Sequence, residues 1–323
     1  MSIPTSARLR MPDFFIVGHA KSGTTALYEM LRRHPQIFMP ENKEPWFFAT
    51  DMQPRFQPPM AGPPPADLQE YMALFAQAGA DQRAGEASSS YLWSRTAAAR
   101  IAEVQPEARI IAILREPASF LRSLHLQLVQ THVESVRDLR RAISLEQARA
   151  AGRRVPRRSH RPQLLQYSDH VRYVEQLRRY AALFPPEQVL VLIYEDFRSD
   201  NEATVRRVLR FLEVDESHPV EVLDANPTVG LRSQPLDDIV HAVSVGRGPA
   251  SRAAKGVVKA LTPRSARRNL LQLTLRNVVH RSAPPTDEAF MLELKRRFAG
   301  EVAALGEYLD RDLVTLWGYD RIG

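Results

Sequence analysis

The chain has 323 residues, 44% of them hydrophobic, with a formal net charge of +7 at pH 7. That length and apolar content suffice for one large folded domain, with or without an added lobe. There is no cysteine, which excludes disulfides, thiolate nucleophiles, cysteine-ligated zinc and iron–sulfur clusters.

Residues 1–12 read as a loose tail. Arg8 and Arg10 imitate the charged start of a secretory signal, but the apolar run 14–17 is too short to complete one. No run reaches membrane-spanning length, so a soluble, cytoplasmic protein is expected. Residues 13–17 read as a short buried strand and 18–23 as a loop. Residues 24–33 read as a helix with Leu27, Met30 and Leu31 on one face, ended by His34 and Pro35. A proline-rich loop is expected over 53–65 and a second helix over 67–78. Residues 85–91 suggest a strand ending in a serine-rich turn, and 95–104 a helix. The β-branched run 109–114 has the look of a central parallel strand, and Pro117 suits the first position of the following helix. Residues 131–163 are polar, basic and irregular. Helical spacing returns over 168–183, a buried strand over 189–194 and a helix over 201–212. Residues 225–286 are mixed and basic, and one or two helices over 286–309 close the chain.

Strands alternating with helices predict an α/β fold with a mostly parallel sheet. Ligands on such sheets bind at the carboxyl ends of strands, where the loops at 18–23 and 115–117 would lie. The segment Phe15-Ile-Val-Gly-His-Ala-Lys-Ser-Gly-Thr-Thr25 is strand, glycine-bounded loop and helix start. Backbone amides of such a loop, backed by a helix dipole, make an anion site. Gly18 and Gly23 have the spacing of a Walker A loop, but Thr24 stands at the lysine position and Lys21 lies inside the loop. No acidic strand end is evident for Mg²⁺. The expected ligand is therefore a phosphorylated donor that needs neither a γ-phosphate nor a metal.

Positive charge is concentrated in two places. Residues 239–286 contain no Asp or Glu but carry nine Lys or Arg, and a second cluster runs from Arg149 to Arg161. Such patches attract anions in general: a nucleotide, an acidic sugar, a carrier protein, a membrane surface or nucleic acid. No familiar nucleic-acid motif is present.

Five blocks, in order, resemble the PAPS-dependent sulfotransferases (PAPS is 3′-phosphoadenosine 5′-phosphosulfate). They are closest in flavour to the branch shared by bacterial sulfotransferases and heparan sulfate sulfotransferase domains. The blocks are Ala20-Lys-Ser-Gly-Thr-Thr25, Lys43-Glu-Pro-Trp-Phe-Phe48, Gly85-Glu-Ala-Ser-Ser-Ser-Tyr91, Ile110-Ile-Ala-Ile-Leu-Arg-Glu-Pro117 followed by Ser123, and Val191-Leu-Ile-Tyr-Glu-Asp-Phe197. The resemblance implies a P-loop-containing three-layer fold over residues 13–323, with acceptor-side segments at about 131–165 and 234–286. It implies PAPS as donor, 3′,5′-ADP as product and no metal. Lys21 would stabilise the leaving phosphate. Ser22, Gly23, Thr24 and Thr25 would hold the 5′-phosphate, and Arg115 and Ser123 the 3′-phosphate, with Arg232 a candidate second ligand there. Glu44 falls where the heparan sulfate branch carries its catalytic base. Trp46, Phe47 and Tyr91, three aromatics from two of these blocks, are assigned to the acceptor.

Three positions depart from the family pattern. Trp46 replaces a usual histidine, Ala87 a lysine that lies near the reacting centre in the saccharide-modifying branch, and His19 a small residue or proline. His19 is read as structural or a modest donor contact. His125, two residues past Ser123 on the same helix, points to a different face and is not expected to support it. The expected reaction is sulfuryl transfer to a hydroxyl, or an amine, of a saccharide, small-molecule or lipid acceptor. A carrier-linked acceptor and peripheral membrane contact fit the basic stretch 247–281. A P-loop kinase and a non-catalytic polyanion-binding protein on the same scaffold are the competing readings.

Overall fold

The computed structural model describes residues 9–41, 43–52, 64–157, 159–221 and 285–322, together with the backbone of 229–231 and 280–282. Its centre is a five-stranded parallel sheet in the order β2-β3-β1-β4-β5. The strands are β1 (Phe14–Gly18), β2 (Ile37–Phe38), β3 (Arg83–Ala87), β4 (Arg109–Leu114) and β5 (Val189–Ile193). β1 and β4 are buried almost throughout, as their unbroken apolar runs require of strands covered on both faces.

Strand alternation divides the core in two. Phe14, Ile16, Ile111, Ile113, Leu190 and Leu192 face one helical layer, formed by α1 (Thr24–Arg32) and, later in the chain, a helix over Asn201–Phe211. Phe15, Val17, Ile110, Ala112 and Leu114 face the other. That second layer contains α2 (Leu68–Ala73), α3 (Ala97–Val104) and α4 (Pro117–Gln130), followed by the short α5 (Leu139–Ser144) and α6 (Glu146–Ala150). It also contains α7 (Tyr167–His170) and α8 (Tyr173–Ala181). Two helices, α9 (Tyr194–Ser199) and α10 (Asn201–Phe211), follow β5. The long α11 (Glu288–Leu309) buries Phe290, Leu294, Phe298, Val302 and Leu305 at helical spacing, and α12 (Leu313–Leu316) ends the described chain. This is the expected three-layer α/β architecture. A separate antiparallel pair joins β6 (Val229–Leu231) to β7 (His280–Ser282). Among the described residues no helix is long and apolar enough to cross a membrane.

Three elements differ from the sequence reading. The helix expected over 168–183 is broken at Arg172, whose backbone is not helical. There the Gln176 amide donates to the carbonyls of Asp169 and His170 at 3.0 and 3.1 Å, replacing the partners a continuous helix would supply. The stretch 131–163 is not wholly irregular: α5 forms because the Asp138 carboxylate accepts from Arg141 N, capping the helix at 2.7 Å. The helix expected over 67–78 stops at Ala73. Residues 53–63 and 232–279 lie outside the described residues, and with them Arg232 and nearly all of the basic stretch 247–281.

Strand order reverses at β1, which has β3 on one side and β4 on the other. The chain leaves β1 and β4 at the same edge of the sheet, so this switch point opens a crevice at their carboxyl ends.

Candidate active site

The loop after β1 occupies that crevice. Gly23 stands at the N-cap of α1 with φ of 89°, and no side chain caps the helix. A Cβ on Gly23 would lie 2.9 Å from Phe197 Cδ1 and in a backbone region that L-residues avoid. The first-turn amides of α1 are thus left facing the cleft with the positive end of the helix dipole behind them. Lys21 adopts φ of 64°, and the Arg115 guanidinium donates to its carbonyl at 2.9 Å. Burial, and then the neighbouring Arg115 charge, hold the Lys21 ammonium below its ordinary pKa. The cleft is therefore an electropositive place that an anion would relieve. His19 is turned away from it. Its Nε2 meets Gln176 Oε1 at 2.6 Å, its ring packs against Phe120 and Tyr173, and burial lowers its pKa to about 4.

Arg115 follows β4 directly, and its guanidinium lies over the Tyr194 ring, 4.7 Å from the centroid. Ser123 sits in α4 and is 3% exposed. Arg115 Nε, Ser123 Oγ and Gln127 Oε1 are buried without a hydrogen-bond partner, as is Ser22 Oγ in the loop. Buried polar groups are rarely left so, and the three on residues that line one cleft, Arg115, Ser123 and Gln127, mark a place for a polar ligand; Ser22 itself does not line it. Gln127 was not singled out from the sequence. It lies four residues after Ser123 in a helix, so the i, i+4 rule puts it on the same face.

Glu44 approaches from the segment between β2 and α2. Its N–H donates to the Ala87 carbonyl at 3.0 Å, fastening it to the end of β3. Its carboxylate accepts from Ser89 N at 3.0 Å, Ser89 Oγ at 2.7 Å and Lys43 Nζ at 2.9 Å. Below it, Glu86 is fully buried and accepts from Ser88 Oγ at 2.5 Å and Tyr71 OH at 2.9 Å, while Ser88 Oγ accepts from Trp46 N at 3.2 Å. Desolvation pushes the Glu86 carboxyl up to about 7, with a smaller push from Glu44.

Lys21, Gly23, Thr24, Thr25, Glu44, Arg115 and Ser123 all line one cleft of about 690 Å³, its open mouth included. The aromatics assigned to the acceptor separate. Tyr91 is a correction: it is fully buried, its hydroxyl accepting from Phe48 N at 3.2 Å, so it belongs to the core and does not line the cleft. Phe47 stacks on Tyr71 at 4.8 Å. Trp46 carries the Arg161 guanidinium on its ring face, 3.5 Å from the centroid. Burial lowers the Arg161 pKa to about 10, and the nearby Glu44 charge opposes that shift. The basic cluster 149–161 is thereby split. Arg161 lies over Trp46 within electrostatic reach of Glu44, whereas Arg149 is buried in an ion pair with Glu134 at 2.7 Å. His125 bonds Tyr167 OH and the Arg137 carbonyl at 3.0 and 2.9 Å, a structural role away from Ser123.

The sequence pattern of the Sulfotransferase family matches residues 12–218, which holds every element of the cleft described above. The chain belongs to the sulfotransferase family. It is 30% identical over 214 residues to human bifunctional heparan sulfate N-deacetylase/N-sulfotransferase 3, covering 64% of this chain and 22% of that one. It is 27% identical over 255 residues to mouse carbohydrate sulfotransferase 15, covering 64% and 45%. The chain thus spans less than half the length of these relatives. Among solved structures, a sulfotransferase from Alicyclobacillus acidocaldarius superposes with a TM-score of 0.65 at 26% identity, over 95% of this chain and 99% of that one.

Proposed function

We propose that this sulfotransferase moves a sulfuryl group from PAPS to an acceptor hydroxyl and releases 3′,5′-ADP. The observation that carries the reading is the set of partnerless buried groups, Arg115 Nε, Ser123 Oγ and Gln127 Oε1, in the same cleft as the amides and Lys21 of the loop. A ligand with one phosphate would occupy the loop alone. Groups in both places suit a nucleotide phosphorylated at two positions.

The donor supplies an activated sulfuryl group when bound. Around it the chain has three tasks: to hold phosphate, to stabilise charge on the leaving oxygen and to take the acceptor's proton. The amides of Ser22 to Thr25 and the hydroxyls of Thr24 and Thr25 hold the 5′-phosphate. Lys21 places its charge at the leaving oxygen, and Arg115 and Ser123 take the 3′-phosphate. Glu44 is the only carboxylate lining the described cleft and takes the acceptor's proton. Arg161 on the face of Trp46 supports a small-molecule or saccharide acceptor that is anionic or offers a π face.

A kinase would need an acidic group at a strand end for magnesium. Glu116 follows β4, but its carboxylate caps α4 by accepting from Ala118 N and Ser119 N at 3.0 and 2.6 Å and also accepts from Tyr319 OH at 2.6 Å. It is committed to the fold. Calorimetry with 3′,5′-ADP against ATP plus Mg²⁺ decides between the two readings. Metal-independent binding of 3′,5′-ADP, lost in Lys21→Ala and Arg115→Ala, is expected. Equal or tighter binding of ATP–Mg²⁺ would sink the proposal. The acceptor is found by screening an extract of the source with labelled PAPS.

A further inference from the structure

Neighbouring residues on an extended chain point to opposite sides. Lys43 and Glu44 do not. Glu44 has φ of 64°, and this bend turns both side chains into the same cleft. Lys43 Nζ donates to Glu44 Oε1 at 2.9 Å and lies 3.5 Å from Thr24 Oγ1, at the first turn of α1. Its side chain is only 18% exposed. The ammonium thus spans the carboxylate that would take a proton and the loop that would hold the donor.

Glu44 Oε1 receives two donors, Lys43 Nζ and Ser89 Oγ, while Oε2 receives Ser89 N. An oxygen so occupied is poorly placed to accept an acceptor's proton. Resting on the sulfotransferase reading above, we infer that Lys43 is a donor-responsive keeper of Glu44. Without donor, its ammonium ties up Glu44 Oε1. With donor in the loop, the ammonium turns from the carboxylate to the sulfuryl oxygens, the new anion beside Thr24. This move does two things at once. It places a positive charge on the group being transferred, apart from Lys21 at the leaving oxygen, and it frees one of the two positions on Glu44 Oε1, the other still held by Ser89 Oγ.

During transfer, Glu44 Oε1 takes the acceptor hydroxyl's proton as that oxygen bonds to sulfur. Lys21 stays with the phosphate oxygen that keeps the electron pair of the broken S–O bond. Lys43 keeps all its protons throughout. The arrangement couples the two substrates, because the base becomes available only after the donor is bound.

The inference separates PAPS from 3′,5′-ADP, which lacks the sulfuryl group. Calorimetry is run with both nucleotides, without acceptor, on wild type, Lys43→Met, Lys43→Arg and Glu44→Gln. Lys43→Met is expected to bind 3′,5′-ADP within twofold of wild type and PAPS at least tenfold more weakly. Lys43→Arg keeps the charge and should recover most of the PAPS affinity. Glu44→Gln should bind PAPS several-fold more tightly than wild type, since Lys43 no longer has to leave a carboxylate, with 3′,5′-ADP unchanged and turnover lost. Retained 3′,5′-ADP binding also shows that each variant is folded. If Lys43→Met keeps the wild-type preference for PAPS, or if Glu44→Gln weakens PAPS, the keeper role is wrong while the sulfotransferase reading stands. If wild type binds neither nucleotide, both fall together.

Discussion

Glu86→Gln tests whether the carboxyl under the active-site segment is held as the neutral acid. Glu86 has no exposed surface, and desolvation moves its pKa from 4.5 to about 7. Between those values the folded protein keeps a proton that the unfolded chain has released. The unfolded state then binds fewer protons, so stability falls as pH rises. The loss begins near pH 4.5 and is complete above the folded pKa. From pH 5 to pH 8 this one group costs the wild type about 2–3 kcal/mol, at roughly 1.4 kcal/mol per pKa unit.

Glutamine is neutral throughout; its amide oxygen can accept from one of the Ser88 and Tyr71 hydroxyls while its NH2 donates to the other. The difference in unfolding free energy between Glu86→Gln and wild type should therefore drift by about 2–3 kcal/mol in favour of the variant over that range. Urea denaturation at pH 5, 6, 7 and 8 measures it. Taking the difference removes the opposing contribution of the buried histidines, which both proteins share. A difference that stays flat with pH would mean that Glu86 is ionised in the fold, and the argument from desolvation would be wrong.

Gly23→Ala should lower stability by about 1–3 kcal/mol, through the positive φ and the clash with Phe197, and should abolish 3′,5′-ADP binding; a wild-type melting temperature would contradict this. Glu134→Gln leaves Arg149 buried and unpaired, in a pair whose side chains are 1% and 0% exposed. The expected cost is about 3–5 kcal/mol, read from the urea midpoint, and a change below about 1 kcal/mol would refute it. Burial lowers the pKa of His170 to about 3 and of His19 to about 4. These depressed values contribute stability above pH 6.5 that is lost as pH falls towards 4 for His19 and 3 for His170, about 2 kcal/mol from His170 by pH 5. His170→Phe should lose less stability than wild type between pH 7 and pH 5, and an equal loss would remove His170 from the account.

How far the sequence could be read depended on what kind of interaction each residue makes. β4 is found at 109–114 as expected, because a short apolar run rich in β-branched residues favours a strand covered on both faces. Lys21, Arg115 and Ser123 share the cleft because their positions follow from strand ends and helix starts, which are local features. Gln127 was missed, although helix geometry puts it one turn past Ser123 on the same face. Tyr91 was misplaced because an aromatic beside a serine-rich turn looks the same in sequence whether it faces ligand or core. Its burial is set by Phe48 and Tyr180, which come from distant parts of the chain. The place of Lys43 in the cleft and of Arg161 over Trp46 was equally invisible. Their placement depends on contacts between segments far apart in sequence, and on a left-handed backbone at a non-glycine position that no local pattern announces.

That backbone conformation recurs where the chain enters the cleft. Lys21, Glu44 and Trp46 have φ of 64°, 64° and 59°, and none is glycine. Each such residue costs on the order of 1–3 kcal/mol and persists only if its surroundings hold it. Arg115 holds the Lys21 carbonyl, the Ala87 carbonyl holds Glu44 N, and Ser88 holds Trp46 N. Two of these three holders lie at the end of β3, directly above Glu86. The buried carboxyl accepts from the Ser88 hydroxyl that accepts from Trp46, so its own stability penalty above neutral pH accompanies a fixed geometry for Glu44 and Trp46. Removing that hydroxyl in Ser88→Ala should therefore raise the KM for acceptor and leave 3′,5′-ADP affinity intact, because the nucleotide loop is held from the other side of β1. Equal loss of both would show that the cleft is fixed as one unit, and that the two substrates do not have separate supports.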